Sequence, residues 1–317
     1  MTILLLFVLF MVGATALVLY LQPKQIMEKV TTHYLYKVDD LESIKSVTLE
    51  QSEMKERFDL LTEKFPTNDG IQESSSWVFQ DKLHAVDPNQ FGGATVILAA
   101  PEAYSLIGDN VENMEQYGFN DSQLTITLHF DNNPENNLIY YLGGASPAGD
   151  FVYANLKDSK KVFSVVQEWK SVFTKFLTQR PYLIFLNIPL ETNAPSDLTE
   201  INITRNENTT NIKKENENWI TQEKTVNPTL ISNLRQPLNN QKVFRKIQRH
   251  FGPIKYGLGT KERTTIEFKQ GKRSTIINLG AIVMDNQYQY AEIVDDPEEN
   301  LYLISTSFGK KFLELIR

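Results

Sequence analysis

The sequence predicts an α+β fold: an N-terminal transmembrane helix, then two homologous tandem domains with mixed or antiparallel sheets and packed helices. Three observations predict it. Residues 3–21 form an uncharged apolar run. The phrase EQYGFNDSQLTITLHF at 115–130 returns as IKYGLGTKERTTIEFK at 254–269. Around each occurrence the same succession of strand-like and helix-like patterns repeats.

The chain has 317 residues, more than one hydrophobic core usually organises. Apolar residues make up 41% and charged residues 22%, a globular balance. A net charge of −7 argues against nucleic acid as a partner. With no cysteine, the chain has no disulfide, no thiolate metal ligand and no cysteine nucleophile.

In chain order, the run ILLLFVLFMVGATALVLYL from Ile3 to Leu21 comes first. As a helix it spans roughly 28 Å, close to the hydrocarbon thickness of a bilayer. Ala14-Thr15-Ala16 imitates a signal-peptide cleavage site. Cutting there would leave an apolar new terminus, however, and no basic residue precedes the run. The reading is an uncleaved anchor over 1–22, with Tyr20, Pro23 and Lys24 at the interface. Charge alone leaves its orientation open.

Two repeat domains follow, 23–180 and 181–317. Each opens with an alternating strand, through Ile44, Val47 and Leu49 and then Leu198, Ile201 and Ile203. A partner strand ends at a tryptophan, in SSSWVF and NENWIT, and a helical region begins at Asp87-Pro88 or Asn227-Pro228. Next comes the turn motif, Tyr117-Gly118 or Tyr256-Gly257, where a glycine past a helix end adopts the left-handed conformation that closes it. Leu124, Ile126, Leu128 and Phe130 then alternate as a strand. Gly143-Gly144 and Gly280-Ala281 are expected at a hairpin. A closing helix buries Val166, Trp169, Phe173, Phe176 and Leu177 in one copy and Phe308, Phe312, Leu315 and Ile316 in the other.

The opening strands IKSVTLE and LTEINIT, the tryptophan, the Tyr-Gly-Leu/Phe turn, the Leu-Gly pair and the last strand before a helix also carry a resemblance. Over residues 33–317 the chain resembles an uncharacterised domain-of-unknown-function family of bacterial membrane-anchored proteins. Members of that family accompany gliding-motility-type (GldG-like) auxiliary components of ABC transporters. The resemblance implies two tandem copies outside the cytoplasm of a single-pass cell-membrane protein, with ABC transporter subunits as partners. The basic residues that the family places before its anchor are missing here. No catalytic residues belong to its pattern.

Motifs for chemistry are absent. The four histidines, His33, His84, His129 and His250, lack any compact metal-ligand spacing. GLGTK at 257–261 lies before a strand rather than a helix, the reverse of a phosphate-binding loop. Ser146 is followed by Pro147, which spoils a nucleophile elbow. No metal or cofactor is expected, and no catalysis.

One charged pattern stands above background. In KVFRKIQRHF, Lys242, Arg245, Lys246 and Arg249 fall at helical spacing and predict one basic stripe, either a solvated face or an interaction surface. The expected function is a non-enzymatic, membrane-anchored accessory or scaffold protein of the cell envelope, attached to an ABC-type export system. The alternative is a lipid- or polymer-binding module that uses the cleft between the domains.

Overall fold

The computed structural model describes residues 33–40, 43–67, 70–120, 122–131, 133–188, 198–216, 218–222, 224–249 and 251–316, with backbone alone over 63–67 and 70–74. The chain divides into two compact units, Met1–His33 and Tyr34–Arg317.

The first half contains β1 (Ser46–Gln51), β2 (Met54–Thr67), β3 (Gly70–Phe79), α1 (Pro88–Ala99), β4 (Ser105–Gly108), β5 (Leu124–His129), β6 (Leu138–Ala145), β7 (Phe151–Leu156), β8 (Val162–Val166) and α2 (Gln167–Thr178). Its strands form one sheet in the order β3-β2-β1-β5-β6-β7-β8-β4. The second half contains β9 (Glu200–Arg205), β10 (Asn208–Glu215), β11 (Asn218–Thr221), β12 (Lys224–Thr225), α3 (Pro228–Ser232), α4 (Arg235–Asn240) and β13 (Val243–Ile247). It continues through β14 (Thr264–Gln270), β15 (Arg273–Val283), β16 (Tyr288–Ile293), β17 (Leu301–Ser305) and α5 (Thr306–Leu313). Its order is β12-β11-β10-β9-β14-β15-β16-β17-β13.

Both sheets are antiparallel, and the strand order matches from one to the other. So do the registers. Leu49 lies opposite Ile126 and Ile203 opposite Ile266. Leu142 lies opposite Ala154 and Leu279 opposite Ala291. Because side chains alternate along a strand, a one-residue slip would turn every buried residue outward. Leu124, Ile126 and Leu128 are buried while Thr125, Thr127 and His129 are not.

Each half has its own core. Phe58, Phe91 and Phe176 meet in the first, with Phe58–Phe91 centroids 4.7 Å apart. Phe268, Phe308 and Phe312 meet in the second. Each such side chain contributes about 1.5–3 kcal/mol by leaving water. The helices start alike: the Asp87 side chain accepts from the Asn89 N–H and the Asn227 side chain from the Thr229 N–H, both at 2.9 Å, with proline as first helical residue.

The fold is therefore mostly β, which corrects the α+β expectation. Helix α1 has 12 residues, but its counterpart breaks into α3 and α4 of five and six, with Pro237 in the latter. Among the described residues no helix is long and apolar enough to cross a membrane. The expected single-pass anchor is accordingly not supported, nor is the cell-membrane localisation with extracytoplasmic domains. The Ile3–Leu21 span itself lies outside the described residues.

A second correction concerns the glycines. Gly143 and Gly280 lie inside β6 and β15, beside bulges, rather than at hairpin turns. A Cβ on Gly143 would sit 2.4 Å from the Tyr117 carbonyl oxygen, and one on Gly280 2.3 Å from that of Tyr256. Gly118 and Gly257 hold φ of 74° and 67°, ending 3₁₀ turns at Tyr117 and Tyr256. The turn thus lies directly on the strand backbone, and both partners need glycine. Tyr117 then packs edge-on against Tyr153, and Tyr256 against Tyr290, at 4.8 and 5.1 Å.

Candidate functional site

The sheets meet edge to edge through short extended segments. β3 ends one sheet and β13 the other. Between them run single bridges, Val78 to Ala85, Val86 to Tyr182 and Ile184 to Lys242. Ala85 N–H donates to the Val243 carbonyl, Val243 N–H to that of Leu183, and Leu183 N–H to that of Ala85, each at 2.9 Å. Buried backbone groups need partners, and this closed ring of three bonds supplies them. Sequence reading set a domain boundary at 180/181 and missed the seam. Main-chain bonding leaves no side-chain signature, though the apolar run Tyr182-Leu183-Ile184-Phe185-Leu186 was a strand signal available to it.

Beside the seam lies a cavity of about 470 Å³. The first half lines it with Ser75, Ser76 and Trp77 of β3, Val86, and Pro88, Phe91, Gly92 and Thr95 at α1. The second half lines it with Lys246, Gln248, Glu298 and Asn300, and Ala85 and Leu183 belong to the seam. Trp77 packs on Phe91 at 5.3 Å. The charged groups neutralise one another: Lys246 Nζ is 2.8 Å from Glu298 Oε2, and Asn300 Nδ2 donates to the same oxygen at 2.9 Å. The Lys246 hydrogen bond, aided by Asn300, holds the Glu298 carboxyl below its ordinary range. Hydroxyls of Ser75, Ser76 and Thr95 line the cavity, but no histidine lines it to activate them. The cavity is suited to holding a ligand.

The four cations of the predicted stripe lie on and beside β13, a strand, so the helix expected there is corrected. They do not form one face. Lys242 Nζ sits 3.5 Å from the centre of the Tyr182 ring. Arg245 is buried, donating to the Phe244 carbonyl at 2.7 Å. Lys246 reaches into the cavity, and Arg249 pairs with Glu292. Alternation in a strand sends neighbours to opposite sides, and i, i+3, i+4 spacing no longer groups them. Tyr117, Gly118, Tyr256 and Gly257 form the turns already described.

Two further cavities flank the seam and the second sheet. One of about 660 Å³ is lined by Leu83 and His84 together with Lys242, Phe244 and Tyr288. Burial lowers the His84 pKa, and Asp81, 3.7 Å away, pulls it back up in part. Nearby, Arg180 joins the halves' boundary to the first sheet through Glu56 at 2.5 Å. The other, about 480 Å³, is lined by Arg249, Arg263, Asn278 and Glu292 among others. Here Asn278 Nδ2 donates to Glu292 Oε1 at 2.7 Å and Thr265 Oγ1 to Asn278 Oδ1 at 2.7 Å. Among the described residues no group of three or more histidines or carboxylates is placed to hold a metal ion.

Residues 77–248, more than half the chain, match the model of a family described as "Domain of unknown function (DUF4340)". The match begins at Trp77 in the first half and ends at Gln248 in the second, so both of its ends line the 470 Å³ cavity and it contains the whole seam. Searches of the curated proteins and of the solved structures return no match.

Proposed function

The chain belongs to this DUF4340 family, and from that premise we propose that it is a non-enzymatic accessory protein that binds a lipid or polymer in the cleft between its halves. The observation that carries the reading is the cleft itself. Its volume of about 470 Å³ falls in the range of ligand sites, aromatic and aliphatic side chains of the first half line it, and its charges are already paired. Such a site favours a largely apolar ligand, and no histidine among its lining residues activates a hydroxyl as nucleophile. The setting we propose is an ABC-type export system of the GldG-associated kind, on the strength of the family resemblance. We further propose that the halves are tandem copies of one ancestral domain, supported by the shared strand order and registers.

Gly92 makes the test clean. It lines the cleft, and a Cβ there meets nothing within 4 Å. Gly92→Leu fills the cleft while replacing a helix-interior glycine, a change favourable by roughly 0.5–1 kcal/mol. Titration with a fluorescent fatty-acid probe, read by Trp77 quenching, should show saturable binding to the parent chain and at least a tenfold loss in this variant. Equal binding by both chains would sink the cleft reading. Co-purification in gentle detergent tests the setting separately: recovery of ABC transporter subunits is the expected result.

A further inference from the structure

Both halves build the cavity of about 660 Å³. The segment before Ala85 brings Leu83 and His84 to it, and the rest of its wall comes from the second half. Part of that wall is the turn from β15 to β16. Met284, Asp285 and Asn286 there hold φ of 52°, 53° and 68°, left-handed conformations that Asn and Asp adopt most readily among residues with a side chain. Thr306, at the start of α5, clamps the turn. Its N–H donates to the Gln287 carbonyl at 3.0 Å and its Oγ1 to the Asn286 carbonyl at 2.9 Å. The backbone of the wall is thereby fixed, and the amide side chains of Asn286 and Gln287 stay exposed.

The chemistry of this lining differs from that of the 470 Å³ cleft. Five amide side chains line it, those of Gln236, Asn240, Gln241, Asn286 and Gln287, and each can both donate and accept. No carboxylate lines it, although the chain carries a net charge of −7. Burial keeps His84 uncharged at neutral pH, so Lys242 is the charge that faces the cavity. Among the described residues no carboxylate pairs with Lys242; its ammonium rests over the Tyr182 ring at 3.5 Å. A flat ring completes the wall. Phe244 stacks on Tyr288 at 4.1 Å and carries the Arg245 guanidinium at 4.2 Å. Tyr288, by contrast, has no second ring or cation against it among the described residues.

We propose that this cavity binds an acidic oligosaccharide, with a sugar ring on Tyr288, its hydroxyls on the amides and its carboxylate at Lys242. A sugar hydroxyl donates and accepts, as the amides do. The C–H face of a pyranose suits the negative face of an aromatic ring. A carboxylate gains a charge-assisted hydrogen bond from the ammonium. An apolar ligand would leave the amides unpaired, and a phosphate-rich one would meet a single cation. The site is separate from the cleft and does not rest on the cleft reading.

Calorimetric titration of the full chain tests it with two probes. One is a tetrasaccharide of alternating glucuronate and N-acetylglucosamine; the other is the neutral N-acetylglucosamine tetramer. The parent should saturate with the acidic probe and bind the neutral one about tenfold more weakly or less. Lys242→Gln should lower acidic-probe affinity to the neutral level. Gln287→Ala, on an exposed turn, should weaken both probes by the same factor, and it keeps the test open if Lys242→Gln fails to fold. Gly92→Leu, which fills the cleft, should bind like the parent. No binding of the acidic probe at millimolar concentration overturns the proposal, as does equal affinity for the two probes. So does undiminished binding by both Lys242→Gln and Gln287→Ala, or loss of binding in Gly92→Leu, which would put the sugar in the cleft.

Discussion

The two halves share a register and differ in what they place on the sheet face away from the helices. In the second half that face is a continuous polar mesh. Asn211 and Asn202 reach Glu200, Lys269 meets Glu200 at 2.7 Å, Asn202 and Ser274 reach Glu267, and Arg249 meets Glu292. In the first half the corresponding face is sparser: Thr48 bonds His129 at 2.9 Å and Arg57 meets Asp59 at 2.8 Å. Apolar positions that build the core correspond between the halves, while the outer positions differ. Core packing constrains shape; an outer face is constrained only by what it touches.

The largest test of that comparison is to damage each core in turn. Phe58→Ala and Phe312→Ala should each cost about 3–5 kcal/mol in urea unfolding. Because the seam ties the halves together, one shared transition is expected for both variants. Two separated transitions would show that the halves unfold independently. Smaller, and equal in the two halves, should be the effect of a methyl group under the turn. Gly143→Ala and Gly280→Ala should each cost roughly 1–3 kcal/mol through overpacking. Unequal losses would mean that one turn is looser.

The mesh should respond where the first half does not. Arg249→Met removes the ion pair from the buried Glu292 and leaves its Asn278 hydrogen bond, at a cost of roughly 1–3 kcal/mol. pH sharpens the contrast. Burial pushes the Glu56 carboxyl up, with Arg180 opposing, so the unfolded chain releases that proton more readily. Its ionisation therefore erodes stability as pH rises from the unfolded value through the folded one. Burial also pushes Glu200 up, but hydrogen bonds from Lys269, Asn202 and Asn211 together outweigh it, and Asn202 and Ser274 hold Glu267 low. Their contribution is complete above the ordinary glutamate pKa of about 4.3 and is lost as pH falls through the folded values. On acidification from about pH 6 to about pH 3, amide protection should fall in β9 and β14 and hold in β1 and β2. Equal loss in both would refute this assignment. The smallest effect belongs to Lys246→Ala, because solvent screens its exposed pair with Glu298, and urea unfolding should barely shift.

Much of this architecture is written in short-range patterns. Alternation in Leu124–His129, the Asp87-Pro88 and Asn227-Pro228 caps and the Tyr-Gly turns are local rules, legible residue by residue. Overall helix content was overestimated because apolar residues in β13 also fit a helical period, and pairing with β17 decides for the strand. Trp77 and the cap before Pro88 were visible as structural marks, yet their meeting with Lys246 and Asn300 in one cleft was not. That convergence depends on which sheet edges face each other, and the three backbone bonds among Ala85, Leu183 and Val243 fix it without regard to side-chain identity.

Those three bonds also impose an order in time. The first half ends at Thr178, 65 residues before Val243, and at about 5–20 residues per second those take roughly 3–13 s to emerge. During that interval a first half that has folded presents the Ala85 amide with no Val243 carbonyl to receive it. A nascent chain in this condition is open to strand exchange with a neighbour on the same message. The window closes when β13 emerges and Val243 supplies the carbonyl.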